Sequence, residues 1–135
     1  MKIYKLSQNT QKIVSFDFDN TIFILDWDTE NGYYKFDPKD PDTPTGHINQ
    51  SIINLINQYN SQGWKTICVT SRSPNSSKQV YQVIQENNIP ITDIYFTNGQ
   101  DKIFKLKELG VSKHYDDDPM EIKYLENSGI EGFQI

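Results

Sequence analysis

Residues Ile13 to Ile22 read IVSFDFDNTI. The opening IVSF is apolar apart from Ser15 and rich in β-branched and aromatic residues, the pattern of a strand buried inside a sheet. It runs straight into Asp17 and Asp19, with only Phe18 between them. Side chains alternate along an extended chain, so the two aspartates are expected on one side and Phe16 and Phe18 on the other. Two carboxylates held that close repel unless a cation or a shared proton comes between them. An all-oxygen donor set favours Mg²⁺.

Working outward, short apolar runs alternate with amphipathic stretches. After Lys12 to Phe18, strands are expected at Lys65 to Ser71 (KTICVTS), Thr92 to Thr97 (TDIYFT), Ser112 to Asp117 (SKHYDD) and in the C-terminal EGFQI. Between them Ile48, Ile52, Leu55, Ile56 and Tyr59 recur at helical spacing, and Gly63 supplies a stop. Further helices are expected from Ser76 or Ser77 to Asn88, over Asp101 to Leu109, and from Pro119 to Gly129. This rhythm predicts an α/β, three-layer Rossmann-like domain spanning residues 1–135. Its central parallel sheet has about five strands, with helices on both faces.

The stretch 22–44, IFILDWDTENGYYKFDPKDPDTP, breaks the rhythm. Asn31-Gly32 between β-prone residues signals a hairpin. The segment is therefore read as a small hairpin flap after strand one, leading into a proline-rich loop. Its aromatics, Trp27, Tyr33, Tyr34 and Phe36, are expected to pack the hairpin against the domain, although aromatic faces can also stack a base.

At 135 residues the chain can bury a core without staples, and 36% hydrophobic content is globular rather than disordered. A net charge of -5 argues against sequence-independent nucleic-acid binding, which requires excess Lys and Arg. Cys68 is the single cysteine, so an internal disulfide and a cysteine-based zinc site are excluded; within TICVT it reads as a small buried apolar residue. No segment approaches the ~20 apolar residues of a membrane span, and MKIYKLSQNTQK lacks a leader's apolar stretch, so no membrane association and a cytoplasmic location are expected.

In parallel α/β sheets ligands bind beyond the carboxyl ends of the strands. Asp17 and Asp19 fall at that edge, and HYDDDP brings Asp116 and Asp117 to it from the fourth strand, so carboxylates from two strands are expected to close on one metal ion. Asp118 is read as the cap of the helix opening at Pro119. VTSR places Thr70, Ser71 and Arg72 past strand two, and TNGQDK brings Lys102 to the next helix, a set suited to phosphate oxygens. His47 is read as a cap or surface residue and His114 as packing in a strand; neither is assigned to chemistry.

The order Asp-x-Asp-x-Thr, then Thr, then Lys, then an acidic pair resembles the haloacid dehalogenase (HAD) superfamily of phosphotransferases, over essentially the whole chain. The resemblance implies Asp17 as nucleophile, Asp19 as general acid and base, and Thr21 as support for their loop. It further implies Thr70 and Lys102 on the phosphate, with Lys105 as the alternative lysine. Mg²⁺ would be held by Asp17, the backbone carbonyl of Asp19, and Asp116 or Asp117. The implied reaction is hydrolysis of a phosphomonoester through an aspartyl-phosphate. A carboxylate at Asp19 separates such phosphatases from dehalogenases.

The TSR turn and the closing YLENSGIEGFQI are also similar to the phosphatase domain of phage-type polynucleotide kinase-phosphatases, which implies Arg72 as a further phosphate ligand and a nucleotide or nucleic-acid-end substrate. Another small phosphate ester, or a catalytically silent HAD-like phosphate- or metal-binding protein, is the alternative. A receiver-type phosphoacceptor fits less well, because its acceptor position at the third strand is filled by Thr97 and Asn98.

Overall fold

The structure, a computed structural model, describes residues 11–135; the N-terminal stretch read above as lacking a leader lies largely outside them. In chain order the elements begin with β1 (Ile13–Phe16), followed by the short strands β2 (Phe23–Leu25), β3 (Trp27–Asp28), β4 (Tyr33–Tyr34), β5 (Phe36–Asp37), β6 (Asp40–Pro44) and β7 (Gly46–Ile48). Then come α1 (Gln50–Ser61), β8 (Lys65–Thr70), a 3₁₀ turn (Pro74–Ser76), α2 (Ser77–Glu86), β9 (Asp93–Phe96), α3 (Lys102–Leu109), β10 (Lys113–Asp116), α4 (Pro119–Tyr124) and β11 (Glu131–Gln134).

The central sheet has five strands in the order β11-β10-β1-β8-β9, every pair parallel. Parallel neighbours need crossovers, and helices supply them, covering both faces. On one face Val14, Phe16 and Cys68 pack with Ile52, Ile56, Val80 and Ile84 of α1 and α2. On the other, Ile67 and Val69 pack with Leu106, Val111 and Leu125. The three-layer α/β arrangement expected from the alternation of runs is the one observed. Cys68 is fully buried in the first layer, and burial pushes its thiol pKa up, so it packs as an apolar residue.

This strand order fixes where a ligand can sit. From β1 the chain builds β8 and β9 on one side, then returns to lay β10 and β11 on the other. The loops leaving β1 and β10 therefore part in opposite directions, and a crevice opens between them at the carboxyl ends.

Strand β1 stops at Phe16, two residues earlier than expected. The carbonyl of Phe18 accepts from the backbone N–H groups of Thr21, Ile22 and Phe23, so the chain coils immediately after Asp17. Asn20 takes a left-handed conformation at φ 60°, which Asn tolerates better than most residues. Asp17 and Asp19 consequently do not project from an extended strand.

The flap is longer and more ordered than a single hairpin. β2 pairs with β7 at its base, and two small ribbons, β3-β4 and β5-β6, form its body. The Asn-Gly pair lies in the four-residue loop between Asp28 and Tyr33 rather than in a two-residue turn. The stretch read as a proline-rich loop supplies β6, an edge strand, where proline is tolerated. Gly46 is required at the base: a Cβ there would lie 2.7 Å from the Phe23 ring. Of the flap aromatics Tyr34 reaches the domain, its hydroxyl accepting from Asn20 Nδ2 at 3.1 Å, whereas Trp27, Tyr33 and Phe36 are about half exposed, and Trp27 meets Tyr34 edge-on within the flap.

Candidate active site

At the crevice between β1 and β10 lies an open cleft of about 740 Å³, lined among others by Asp17, Asp19, Ser71, Lys102, Asp116 and Asp117. The backbone N–H of Asp17 bonds the carbonyl of Tyr115 at 2.9 Å, so the β1-β10 ladder carries one residue past the strand and sets Asp17 beside Asp116. One oxygen each from Asp17, Asp116 and Asp117 lies within 4.8 Å of the others. Asp17 and Asp116 are buried.

Lys102 opens α3 and is only 3% exposed. Its Nζ donates to Asp17 Oδ1 at 2.8 Å and to Asp116 Oδ2 at 2.6 Å. Burial pulls its pKa down, but the two aspartates outweigh burial and hold the ammonium above its ordinary value. Lys105 instead pairs with Glu108 on the outside of the helix, so Lys102 is the lysine of the cleft. Glu121 of α4, which the sequence reading missed, accepts from the backbone N–H of Lys102 at 3.2 Å and anchors the start of α3. A carboxylate at a helix N-terminus is the only signal that pointed to it.

The charges do not balance. Asp17 and Asp116 pair with one ammonium, and a third carboxylate, Asp117, lies within 4.8 Å of both. Burial, opposed by Lys102 and reinforced by Asp116, raises Asp17 well above the usual carboxylate range. Burial raises Asp117 too. Asp116 goes the other way: burial would raise it, but the His114 hydrogen bond and Lys102 bring it down to about 2. Asp17 and Asp117 thus share a proton above the normal range when nothing else neutralises them. Asp17, Asp116 and Asp117 could hold a metal ion, and their all-oxygen donor set fits Mg²⁺.

Asp19 lies apart from this cluster. Arg72 Nε donates to its Oδ2 at 2.8 Å and Nη2 to its Oδ1 at 2.6 Å, a bidentate pair. Arg72 Nη1 reaches Gln79 at 2.9 Å, and the guanidinium lies 5.0 Å over the Phe18 ring. Arg72 also lines a second cavity, of about 530 Å³, together with Gln79 and residues of the flap. Thr21 donates to Asp17 Oδ2 at 3.3 Å. Thr70 is fully buried, its Oγ1 accepting from the backbone N–H of Arg72 at 3.2 Å. Ser71 is exposed on the cleft wall.

Asp118 caps α4, accepting from Met120 N–H at 2.9 Å. His47 is exposed on β7, 3.7 Å from Asp26. His114 is fully buried, as a packing residue would be, yet both ring nitrogens are engaged, one by Ser15 and one by Asp116. Nothing in the local sequence distinguishes that role from packing.

No family model and no curated protein matches the chain. Solved structures do. A chain of the Pnkp1/Rnl/Hen1 complex aligns over 94% of this chain and 47% of its own, at 20% identity and a TM-score of 0.67. A HAD family enzyme of Bacteroides thetaiotaomicron, solved with magnesium and inorganic phosphate, aligns over 92% of this chain and 93% of its own, at 10% identity and a TM-score of 0.61. The chain has the HAD fold. The 3-deoxy-D-manno-octulosonate 8-phosphate phosphatase of Moraxella catarrhalis, solved with magnesium, phosphate and KDO, shares this HAD fold over 88% of this chain and 64% of its own, at 20% identity and a TM-score of 0.55. The chain thus spans less than half the length of the first of these proteins and under two thirds of the third. Among the described residues no helix is long and apolar enough to cross a membrane.

Proposed function

We propose that this HAD-fold chain is a Mg²⁺-dependent phosphomonoester hydrolase that works through an aspartyl-phosphate on Asp17. The observation that carries the reading is the division of labour between its two acidic centres. Asp17 and Asp116 share Lys102 with Asp117 clustered beside them, more negative charge than one ammonium balances, while Asp19 stands at the same cleft paired only to Arg72.

Asp17 attacks phosphorus, a new O–P bond forms, and the bond to the leaving oxygen breaks as Asp19 gives that oxygen a proton. Water then attacks the phosphorus of the aspartyl-phosphate and loses its proton to Asp19, which frees Asp17 and inorganic phosphate. Lys102 and Ser71, which line the cleft, orient and neutralise the phosphoryl oxygens, and Thr70, buried behind them, reaches phosphate only if its hydroxyl turns toward the cleft. Arg72 holds Asp19 and has N–H donors left over for phosphate, since three of its five are used. Asp17, Asp116, Asp117 and the Asp19 carbonyl are the groups that would hold Mg²⁺, which when bound lets the anionic nucleophile and phosphate meet and offsets transition-state charge.

For the substrate, the open cleft and its apolar rim of Leu25, Tyr34, Met120 and Tyr124 favour a nucleotide or nucleic-acid-end phosphate. The likeness to a chain of a complex described as an RNA repair complex supports the same class. Another small phosphate ester is the alternative.

Phosphate release from p-nitrophenyl phosphate, with Mg²⁺ and with a chelator, tests the reaction. Asp17→Asn should fall to the uncatalysed background. Turnover that survives Asp17→Asn, or that ignores Mg²⁺, would remove the proposal. A panel including 3′-phosphorylated oligonucleotides then ranks the substrate classes.

A further inference from the structure

The buried polar chain behind the cleft holds more than the reaction above uses. Ser15 and His114 are register partners on β1 and β10, so their side chains leave the same face of the sheet side by side. Ser15, His114 and Asp116 all have no exposure to solvent. Ser15 Oγ lies 2.6 Å from His114 Nδ1 but 3.5 Å from the Lys113 carbonyl, its other acceptor. The hydroxyl proton therefore goes to Nδ1, and a nitrogen that accepts a hydrogen bond cannot carry a hydrogen in the same ring form. The ring hydrogen is left on Nε2, which donates to Asp116 Oδ2 at 2.8 Å.

Counting lone pairs on Asp116 gives the consequence. Oδ2 accepts from His114 and from Lys102, which uses both of its lone pairs. Oδ1 accepts only from the backbone N–H of Asp118, at 3.0 Å, and keeps one. We propose that Ser15 and His114 are a positioning pair that locks the rotation of Asp116, so that Oδ1 alone is presented to a divalent cation. The proposal rests on reading Asp17, Asp116 and Asp117 as the metal ligands. Any buried histidine needs partners for its nitrogens; what marks this ring is that Nε2 meets a carboxylate of the cleft and Nδ1 a hydroxyl on the neighbouring strand.

The test uses the whole chain and two readouts. Long-range ¹H–¹⁵N spectra of the histidine rings, with His114 identified by its loss in His114→Gln, should show a single form with hydrogen on Nε2. Hydrogen on Nδ1 overturns the proposal. Mg²⁺ binding by calorimetry should weaken about tenfold to a hundredfold in His114→Leu. It should largely recover in His114→Gln, whose amide N–H₂ can stand in for Nε2–H. Ser15→Ala should bind Mg²⁺ with a smaller loss and show both ring forms. If His114→Leu fails to fold, Ser15→Ala and the ring spectrum decide, and an unchanged spectrum in Ser15→Ala counts against the pair. Wild-type affinity in a folded His114→Leu sinks the positioning role and leaves the metal site standing. No Mg²⁺ binding by the wild type removes the metal reading itself, and with it the cation half of this proposal.

Discussion

The rim of the sheet and the flap that rises from it are built on opposite principles. At the rim, Asp17, Lys102, His114 and Asp116 come from three separate elements, are buried, and satisfy one another through hydrogen bonds spanning up to 85 positions of chain. In the flap, Asp28 accepts from Glu30 and Asn31, Asp37 from Lys39, and Asp40 from Asp42 and Thr43, all within three residues. Buried, mutually dependent polar groups have two outcomes, full satisfaction or a heavy penalty. Local turns at the surface can be altered one at a time. The rim is therefore suited to fixing atoms for chemistry, and the flap to varying what the cleft admits.

Substitutions at the two regions should separate by size. Asp19→Asn is nearly isosteric but can accept only one of the two Arg72 hydrogen bonds, and it removes the proposed proton carrier. It should lower kcat about 10²–10⁴-fold with the fold intact, as measured by steady-state phosphate release. A loss smaller than tenfold would mean that the chemistry does not pass through the rim as drawn. Lys102→Met leaves Asp17 and Asp116 without their shared cation. Denaturant titration in a chelator should show a loss of about 3–5 kcal/mol, partly restored by Mg²⁺; a near-neutral result would erase the contrast with the flap.

The pH response sharpens the contrast further. Asp17 and Asp117 titrate above their unfolded value, so the native state binds more protons than the unfolded chain and stability falls as pH rises through that window. Without metal, the expected slope is at most about 1.4 kcal/mol per pH unit for the shared proton, beginning near pH 4, and Mg²⁺ should flatten it. Asp116 has the opposite sign: its stabilisation is complete above the ordinary carboxylate pKa and is lost as pH falls toward about 2. Urea midpoints with and without Mg²⁺ measure both limbs. Trp27→Ala in the flap should be the mildest change, within about 0.5 kcal/mol of wild type by the same titration. A cost above about 2 kcal/mol would show the flap to be part of the core after all.

The same contrast explains what the sequence made legible. Strand one announced itself because burial on two faces demands an unbroken apolar run, and its acidic ending marked the rim. Lys102 and the acidic pair after His114 followed from the order of elements, since a parallel sheet sends every loop of that kind to one edge. The turn after Phe16 was missed because a hydrogen-bond acceptor such as the Phe18 carbonyl leaves no trace in residue type. His114 was read as packing because its partner Ser15 is 99 positions away, joined only by strand register. The bidentate hold of Arg72 on Asp19 and the role of Glu121 also depend on tertiary placement. In the flap, period-two patterning failed because its strands are two to five residues long and half exposed, so neither face is selected.

The position of β1 between β8 and β10 also has a bearing on how the molecule comes into being. Its first neighbour pairs Ile13 with Lys65, while its second pairs Val14 with Lys113. A chain emerging from a ribosome can close the first ladder once Lys65 to Cys68 have been made, but Asp17 must wait for the later synthesis of Asp116 and Asp117. The chain-closure entropy of so distant a pairing is met late. Products stalled before Asp116 would carry Asp17 and Lys102 without the carboxylates that complete the cluster.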